Sequence, residues 1–334
     1  MYIEDAICQY LREEIFPQLA SPPYDGIEMI RLGAEKPVCL FFEKNKSIMV
    51  VGKLFKWGVI PLEEAWLEAD TEYFNLKLLR EQLGMDGETD SVVAPLGENK
   101  RLSALLVTER APGQTLDYYI AKAIFEQQHD ELFQRLEHLA RFFVKLHESG
   151  KSERQLSPEL PRFYLNTLLD SLNDCPLELS KRAAIEKYAA KWWEEEKVFA
   201  SDRETIVHGD ATPTNFLFDD EKVTAIDLES MKWADRCWDL GFIAAELKHH
   251  FMWRTDNSSA AEPFISHFLW QYAVNYGDTR FFHVVTCKLP LYMALGLLRI
   301  ARNLYVGDTH VERLVLEAKQ CLKYGLLSLT ATAP

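Results

Sequence analysis

The chain has 334 residues, 48% hydrophobic and 26% charged, with a formal net charge of −14. That size accommodates two structural lobes, and the composition is that of a soluble globular protein. The negative balance disfavours non-specific nucleic-acid binding and adhesion to an anionic membrane, so neither partner is expected. Six cysteines, Cys8, Cys39, Cys175, Cys237, Cys287 and Cys321, are scattered without a C-x-x-C pair. Zinc-site and thioredoxin-like readings therefore lack support, and free thiols in a reducing compartment are expected. The opening MYIEDAICQY is acidic where a secretory signal is basic. The longest apolar run, Leu289 to Leu298, is closed by Lys288 and Arg299 and falls short of the roughly 20 residues that span a bilayer. A cytoplasmic location is expected.

In chain order, Ile3 to Leu19 reads as an amphipathic helix ended by the breaker Ser21-Pro22-Pro23. Three stretches rich in branched and aromatic residues follow, Ile27–Leu32, Val38–Phe42 and Ile48–Phe55, with Glu43-Lys44-Asn45-Lys46 as a polar hairpin turn. They predict an antiparallel sheet. A long helical pattern runs from about Leu62 to Leu83, and Val92–Leu96 and Leu102–Val107 are two further candidate strands. The remainder is mainly helical. Within it, Leu132, Leu136, Leu139, Phe143 and Leu146 mark a buried helix closed by Gly150, and Trp192 to Glu196 reads as an amphipathic helix end with a solvated charge run. The interruption from Ile206 to Glu229 holds short strand-like pieces and the densest polar motifs. An α+β protein is expected, with residues 1–108 as a small antiparallel β-sheet lobe with one long helix and 109–334 as a larger, mainly helical lobe.

The segment TIVHGDATPTNFLFDDEKVTAIDLES at 205–230 carries the chemistry. His208-Gly209-Asp210 is followed after four residues by Asn215. The strand-like Phe216–Phe218, the turn at 219–222 and the strand Val223–Ile226 then deliver Asp227, with Glu229 two residues on. Phosphoryl transfer needs a divalent metal on phosphate oxygens and a group that orients the attacking hydroxyl. Mg²⁺ takes hard oxygen ligands from carboxylates and amides. Asp227 suits a metal ligand, Asn215 offers a neutral carbonyl oxygen for a second metal, and Asp210 can accept the hydroxyl proton. Asp-x-x-x-x-Asn is also the spacing of the protein-kinase catalytic loop, with Gly209 here in place of its Arg.

H-G-D-x-x-x-x-N followed by I-D-x-E, extended by Trp238-Asp239-Leu240, resembles the signature of the aminoglycoside phosphotransferase and choline kinase superfamily. The resemblance implies a bilobal protein-kinase-like fold and an ATP- and Mg²⁺-dependent transfer to a hydroxyl of a small molecule: an amino alcohol, a sugar or an aminoglycoside-like compound. It implies Asp210 as catalytic base, Asn215 and Asp227 as metal ligands, and Asp239 as a brace for the catalytic loop. Glu229 reads equally as a support for the metal or as a solvated acid.

For the nucleotide phosphates the expected pair is Lys53 with Glu72. Lys53 is a cation inside the apolar strand Ile48–Phe55, and Glu72 is a carboxylate sharing a helix face with Leu76, Leu79 and Leu83. Each needs a partner, and each supplies the other's. Lys56 and Glu68 are the competitors. Only Gly33-Ala34-Glu35-Lys36 stands where protein kinases carry G-x-G-x-x-G, so phosphate contacts from that loop stay unassigned. By resemblance, adenine is expected near Val107, Thr108 and Glu109. His147, Glu246, His249 and His250 read as structural or solvated, and zinc is rejected. Only ten residues separate Asp227 from Trp238, too few for a peptide-docking activation segment, so a protein substrate is not expected. The alternative to a kinase is a catalytically inactive nucleotide-binding or regulatory module.

Overall fold

Apolar residues at alternate positions from Ile27 to Leu54 give three strands with one buried face. A computed structural model describes residues 3–24, 26–32, 37–43, 48–172, 179–303 and 305–331. It places these strands as β1 (Ile27–Arg31), β2 (Val38–Glu43) and β3 (Ile48–Leu54). The turn residues 44–47, the glycine loop Gly33–Lys36 and Cys175 lie outside the described residues.

The chain divides into two compact units, Met1–Gly113 with Thr224–Ser230, and Gln114–Val223 with Met231–Pro334. The first therefore runs past the expected boundary at 108 and takes a short segment from the later chain. It opens with α1 (Ile3–Tyr10), continued by a π-helical turn at Leu11–Ile15 and a 3-10 turn at Phe16–Gln18. Ile7, Leu11, Ile15 and Phe16 are buried against Cys39, Phe41, Val50, Leu105 and Val107 of the sheet. At about 1.5–3 kcal/mol for each fully buried large apolar side chain, this helix is part of the sheet's core.

After β3 comes α2 (Leu62–Lys77), extended by a π-helical turn at Leu78–Gln82, close to the expected span. The strand expected at Val92–Leu96 is two strands, β4 (Asp90–Val92) and β5 (Pro95–Asn99). Pro95 has no N–H to continue a ladder and so begins a new strand. The next, β6 (Leu105–Glu109), starts later than expected because Ser103 and Ala104 turn at φ 59° and 51°. The five-stranded sheet has the order β1-β2-β3-β6-β5 with antiparallel pairs, and Lys53 faces Leu106 across the β3–β6 ladder. This is a mixed α+β architecture.

The second unit is mainly helical. It holds β7 (Gln114–Thr115), α3 (Leu116–Phe125), α4 (His129–Ser149), β8 (Lys151–Gln155), α5 (Glu159–Ser171), α6 (Leu179–Trp193) and the single turn α7 (Glu196–Phe199). Then come β9 (Arg203–Val207), β10 (Phe216–Asp219), β11 (Lys222–Ala225), whose last two residues belong to the first unit, and β12 (Lys232–Ala234). The unit ends with α8 (Cys237–Thr255), α9 (Glu262–Tyr276), α10 (Phe281–Ala301) and α11 (Asp308–Ala331). The run Leu289–Leu298, read in the sequence as too short to span a bilayer, lies inside α10, which is long and apolar enough to do so by length and composition. Most of its apolar window is buried, packed on α8 and α11.

Strands β12, β9 and β8 form a small antiparallel sheet. Its central strand β9 leads straight into His208, so its seat matters for the site. Gly150 closes α4 by returning its N–H to Leu146 O at 3.2 Å, and its carbonyl accepts from Ile206 N at 3.0 Å. Its φ of −104° is not left-handed. What this position requires is the absence of a Cβ, which would stand 2.5 Å from Ile206 Cβ. Gly150→Ala should therefore destabilise the protein by about 1–3 kcal/mol through overpacking, read as a lower urea midpoint at unchanged m-value. An unchanged midpoint would show that β9 is not seated by this contact.

Candidate active site

In β3 the side chains alternate, so Ile48 and Val50 enter the core under α1 while Lys53 lies on the opposite face. Its ammonium donates to Glu72 Oε2 at 2.5 Å and to Asp227 Oδ1, and lies 3.7 Å from Glu229. Glu72 is 1% exposed. Burial pushes its carboxyl up to about 7 against the pull of Lys53. Burial also works against the Lys53 charge, but Glu72, Asp227 and Glu229 outweigh it and hold the ammonium above the usual lysine range. The competitors stand aside: Glu68 is exposed, and Lys56 bonds Gly58 O at 2.9 Å.

The turn that carries Asp227 is tied to this unit from two sides. Asn75 on α2 donates to Leu228 O at 2.8 Å, and Val93 N donates to Ala225 O at 2.9 Å. Asp227 itself sits at φ 65°, a left-handed conformation that Asp tolerates better than most residues. Carboxylate oxygens of Glu72, Asp227 and Glu229 lie within 4.8 Å of one another. A set of hard oxygen donors of this kind fits Mg²⁺.

The residues expected near adenine lie on β6. Val107 is in the core beneath α1 and Thr108 is buried. Glu109 returns its carboxylate to Ala94 N at 2.8 Å. Their backbone is committed as well, because β6 lies between β3 and β5 and pairs with both, and Glu109 N donates to Ala94 O at 2.9 Å.

Asp210 and Asn215 belong to the second unit, and Asp227 to the first. In the second unit, Asp239 on α8 is fully buried and accepts from His208 N at 2.8 Å and from Gly209 N at 3.0 Å. Trp238 Nε1 adds a bond to Gly209 O at 3.2 Å. Gly209 lies at φ 83°, which explains glycine at this point of the loop. His147 lies 3.2 Å from Asp239 and 2.9 Å from the Tyr272 hydroxyl, and burial lowers its pKa. It holds the brace and is structural, as the sequence suggested. Asn215 Nδ2 donates to Asp210 O at 3.0 Å and approaches Asp210 Oδ2 at 3.4 Å, which leaves its Oδ1 to act as a ligand.

Two neighbours of Asp210 escaped the sequence reading. Arg299 at the end of α10 bonds Asp210 Oδ1 at 2.9 Å and lies 3.6 Å from Glu246. The sequence showed Arg299 only as the charge closing an apolar run. A cation at that point of a buried helix was the available signal. Glu246, His249 and His250 are buried, contrary to the expectation of solvated residues. Their helix α8 is enclosed on nearly all sides, and burial holds Glu246 up to about 7.

The sequence model of a family described as phosphotransferase enzymes matches residues 69–276. None of the curated proteins compared matches the chain. Among solved structures, a choline kinase from Cryptosporidium parvum superposes with a TM-score of 0.64 at 11% identity, covering 98% of this chain and 99% of that one. An ethanolamine kinase from Plasmodium vivax gives 0.60 at 12% identity, over 98% and 87%. A macrolide 2'-phosphotransferase from Brachybacterium faecium gives 0.53 at 15% identity, over 94% and 98%. At such identities the likeness is one of fold.

Removing one partner of a buried ion pair typically costs about 3–5 kcal/mol. Lys53→Met should approach the lower end of that range near neutral pH, because Lys53 is 13% exposed. A carboxyl whose folded pKa is raised contributes stability that is complete below its unfolded pKa and is lost as pH rises through the folded one. The destabilisation should therefore shrink as pH falls below about 7, where Glu72 takes up a proton. Urea titrations of both proteins at pH 5 and pH 8 measure this, and equal losses at the two pH values would contradict it.

Proposed function

The chain belongs to the phosphotransferase enzyme family, and from that premise we propose that it is a small-molecule kinase, dependent on ATP and Mg²⁺, that moves the γ-phosphoryl group to an alcohol hydroxyl. The observation that carries this reading is the Lys53 ammonium held by Glu72, Asp227 and Glu229. A cation so placed, next to hard oxygen donors, suits the phosphates of a nucleotide and the metal that accompanies them. Similarity to choline, ethanolamine and macrolide phosphotransferases supports the class of acceptor without choosing among amino alcohols, sugars and aminoglycoside-like compounds.

In this reading Lys53 binds the α- and β-phosphates and Glu72 keeps it in position. The end of β6, around Val107, Thr108 and Glu109, is the place assigned to the adenine. Asp227 in the first unit and Asn215 in the second are each assigned as metal ligands, and a bound metal would neutralise charge on the phosphate oxygens. Asp210 orients the acceptor hydroxyl and takes its proton as the oxygen bonds to the γ-phosphorus. The bond from that phosphorus to the bridging oxygen breaks, and ADP leaves with the electron pair. The Asp239 brace fixes the loop on which Asp210 sits, so the base need not be ordered during the reaction. We place the enzyme in the cytoplasm, where ATP is abundant, and the mostly buried α10 suits that placement.

Positioned general bases contribute about 10²–10⁴-fold. Asp210→Asn should lower kcat by a factor in that range, read by ADP release over an acceptor panel, while the thermal shift given by ATP with Mg²⁺ remains. Wild-type turnover in that variant would remove Asp210 as the base. If wild type shows no metal-dependent shift with ATP, an inactive module becomes the better reading.

A further inference from the structure

Beside the Arg299 that pairs with Asp210, the second unit places a further cation near this loop. Lys232, the first residue of β12, is half-buried, and its Nζ stands 3.9 Å from the centroid of the Trp238 ring. That ring belongs to the residue whose indole N–H holds Gly209 O, so the ammonium is next to the loop that carries Asp210. Among the described residues no carboxylate lies within 4.0 Å of Lys232, and the same holds for the exposed Arg302 at the end of α10. Burial raises the Tyr164 phenol while the Arg299 and Arg302 charges pull it down, and its ring lies 5.0 Å from Trp238.

The nearby acids are already engaged. Asp210 and Glu246 share Arg299, and Asp239 accepts two backbone N–H groups and faces His147. Burial holds Glu246 up to about 7, so it carries less than a full charge near neutral pH. A cationic acceptor entering here would meet the Lys232 ammonium and find no uncommitted carboxylate among these residues. A half-buried lysine that rests on an indole with no carboxylate within 4.0 Å among the described residues is open to an anion from outside.

We propose that the acceptor is a hydroxyl compound carrying an anionic group, a carboxylate or a phosphate, and that Lys232, with Arg299 and Arg302, receives that group beside Asp210. The proposal rests on the kinase reading and deepens it by naming the acceptor's charge. Lys232 sets specificity, because an ammonium of this kind attracts the anion and repels the amino-alcohol alternative. Burial lowers its pKa to about 8 against the opposing pull of Asp239 and Asp210, while Arg299 adds to the lowering. The preference should therefore fade as pH rises above that value.

The test uses the full chain and acceptors matched in carbon frame: neutral polyols, their amino-alcohol counterparts, their hydroxy-acid counterparts and their phosphorylated counterparts. The anionic members should show kcat/KM at least about tenfold above the neutral ones, equivalent to about 1.4 kcal/mol. The hydroxy-acid and phosphate arms distinguish the two sources of charge. Lys232→Met should bring the anionic-to-neutral ratio close to one. In wild type KM for the anionic acceptor should climb above about pH 8, and Lys232→Arg should remove that climb. Preference for neutral or ammonium-bearing acceptors by wild type overturns the proposal and leaves the kinase reading intact, and this ordering needs no variant to fold. An unchanged ratio in a folded Lys232→Met protein also overturns it. Transfer to no member of the panel overturns the kinase reading itself, and this inference with it.

Discussion

A buried carboxylate that accepts from its own backbone organises the second unit. Asp239 has no solvent contact, yet two successive amides of the loop, a histidine and the start of α8 converge on it. An isolated charge in such a place would be very costly. Here it is stabilised because the peptide N–H groups of His208 and Gly209 would themselves be unsatisfied without it. The dependence runs both ways, and it fixes the path of the chain where Asp210 emerges. The wider packing around α4, α8 and α9 serves this arrangement: His147 on α4 reaches the carboxylate and is itself held through its other ring nitrogen by the Tyr272 hydroxyl on α9.

Much of this was legible in the sequence because it rests on local rules. Polar residues interrupting apolar strands at fixed spacing marked Asp210, Asn215 and Asp227. A lone charge on each of two apolar elements gave the Lys53–Glu72 pair, since burial forces such groups to find one another. Strands β1 to β3 and helix α2 followed from alternation and periodicity. Pro95 and the left-handed turn at Ser103 and Ala104 explain where the strand boundaries moved.

What escaped is what only tertiary context determines. Arg299 and Glu246 have no motif, and their meeting depends on how α8 packs on α10. The solvated reading of Glu246, His249 and His250 failed because a helix enclosed on nearly all sides does not show which of its polar residues has a partner. Lys232 drew no attention because a lysine at the start of a short strand looks ordinary until its ammonium is found over the Trp238 indole.

The short segment Thr224–Ser230 belongs to the first unit although both its flanks belong to the second. The chain thus crosses between the units three times, after Gly113, Val223 and Ser230. No single cut divides this protein into two self-sufficient halves. A fragment ending at Gly113 would keep Lys53 and Glu72 but forfeit Asp227, Glu229 and the strand end that Val93 pairs with. Evolutionary exchange of one unit for another by simple fusion is closed to such a chain, because each part is threaded through the other's sequence.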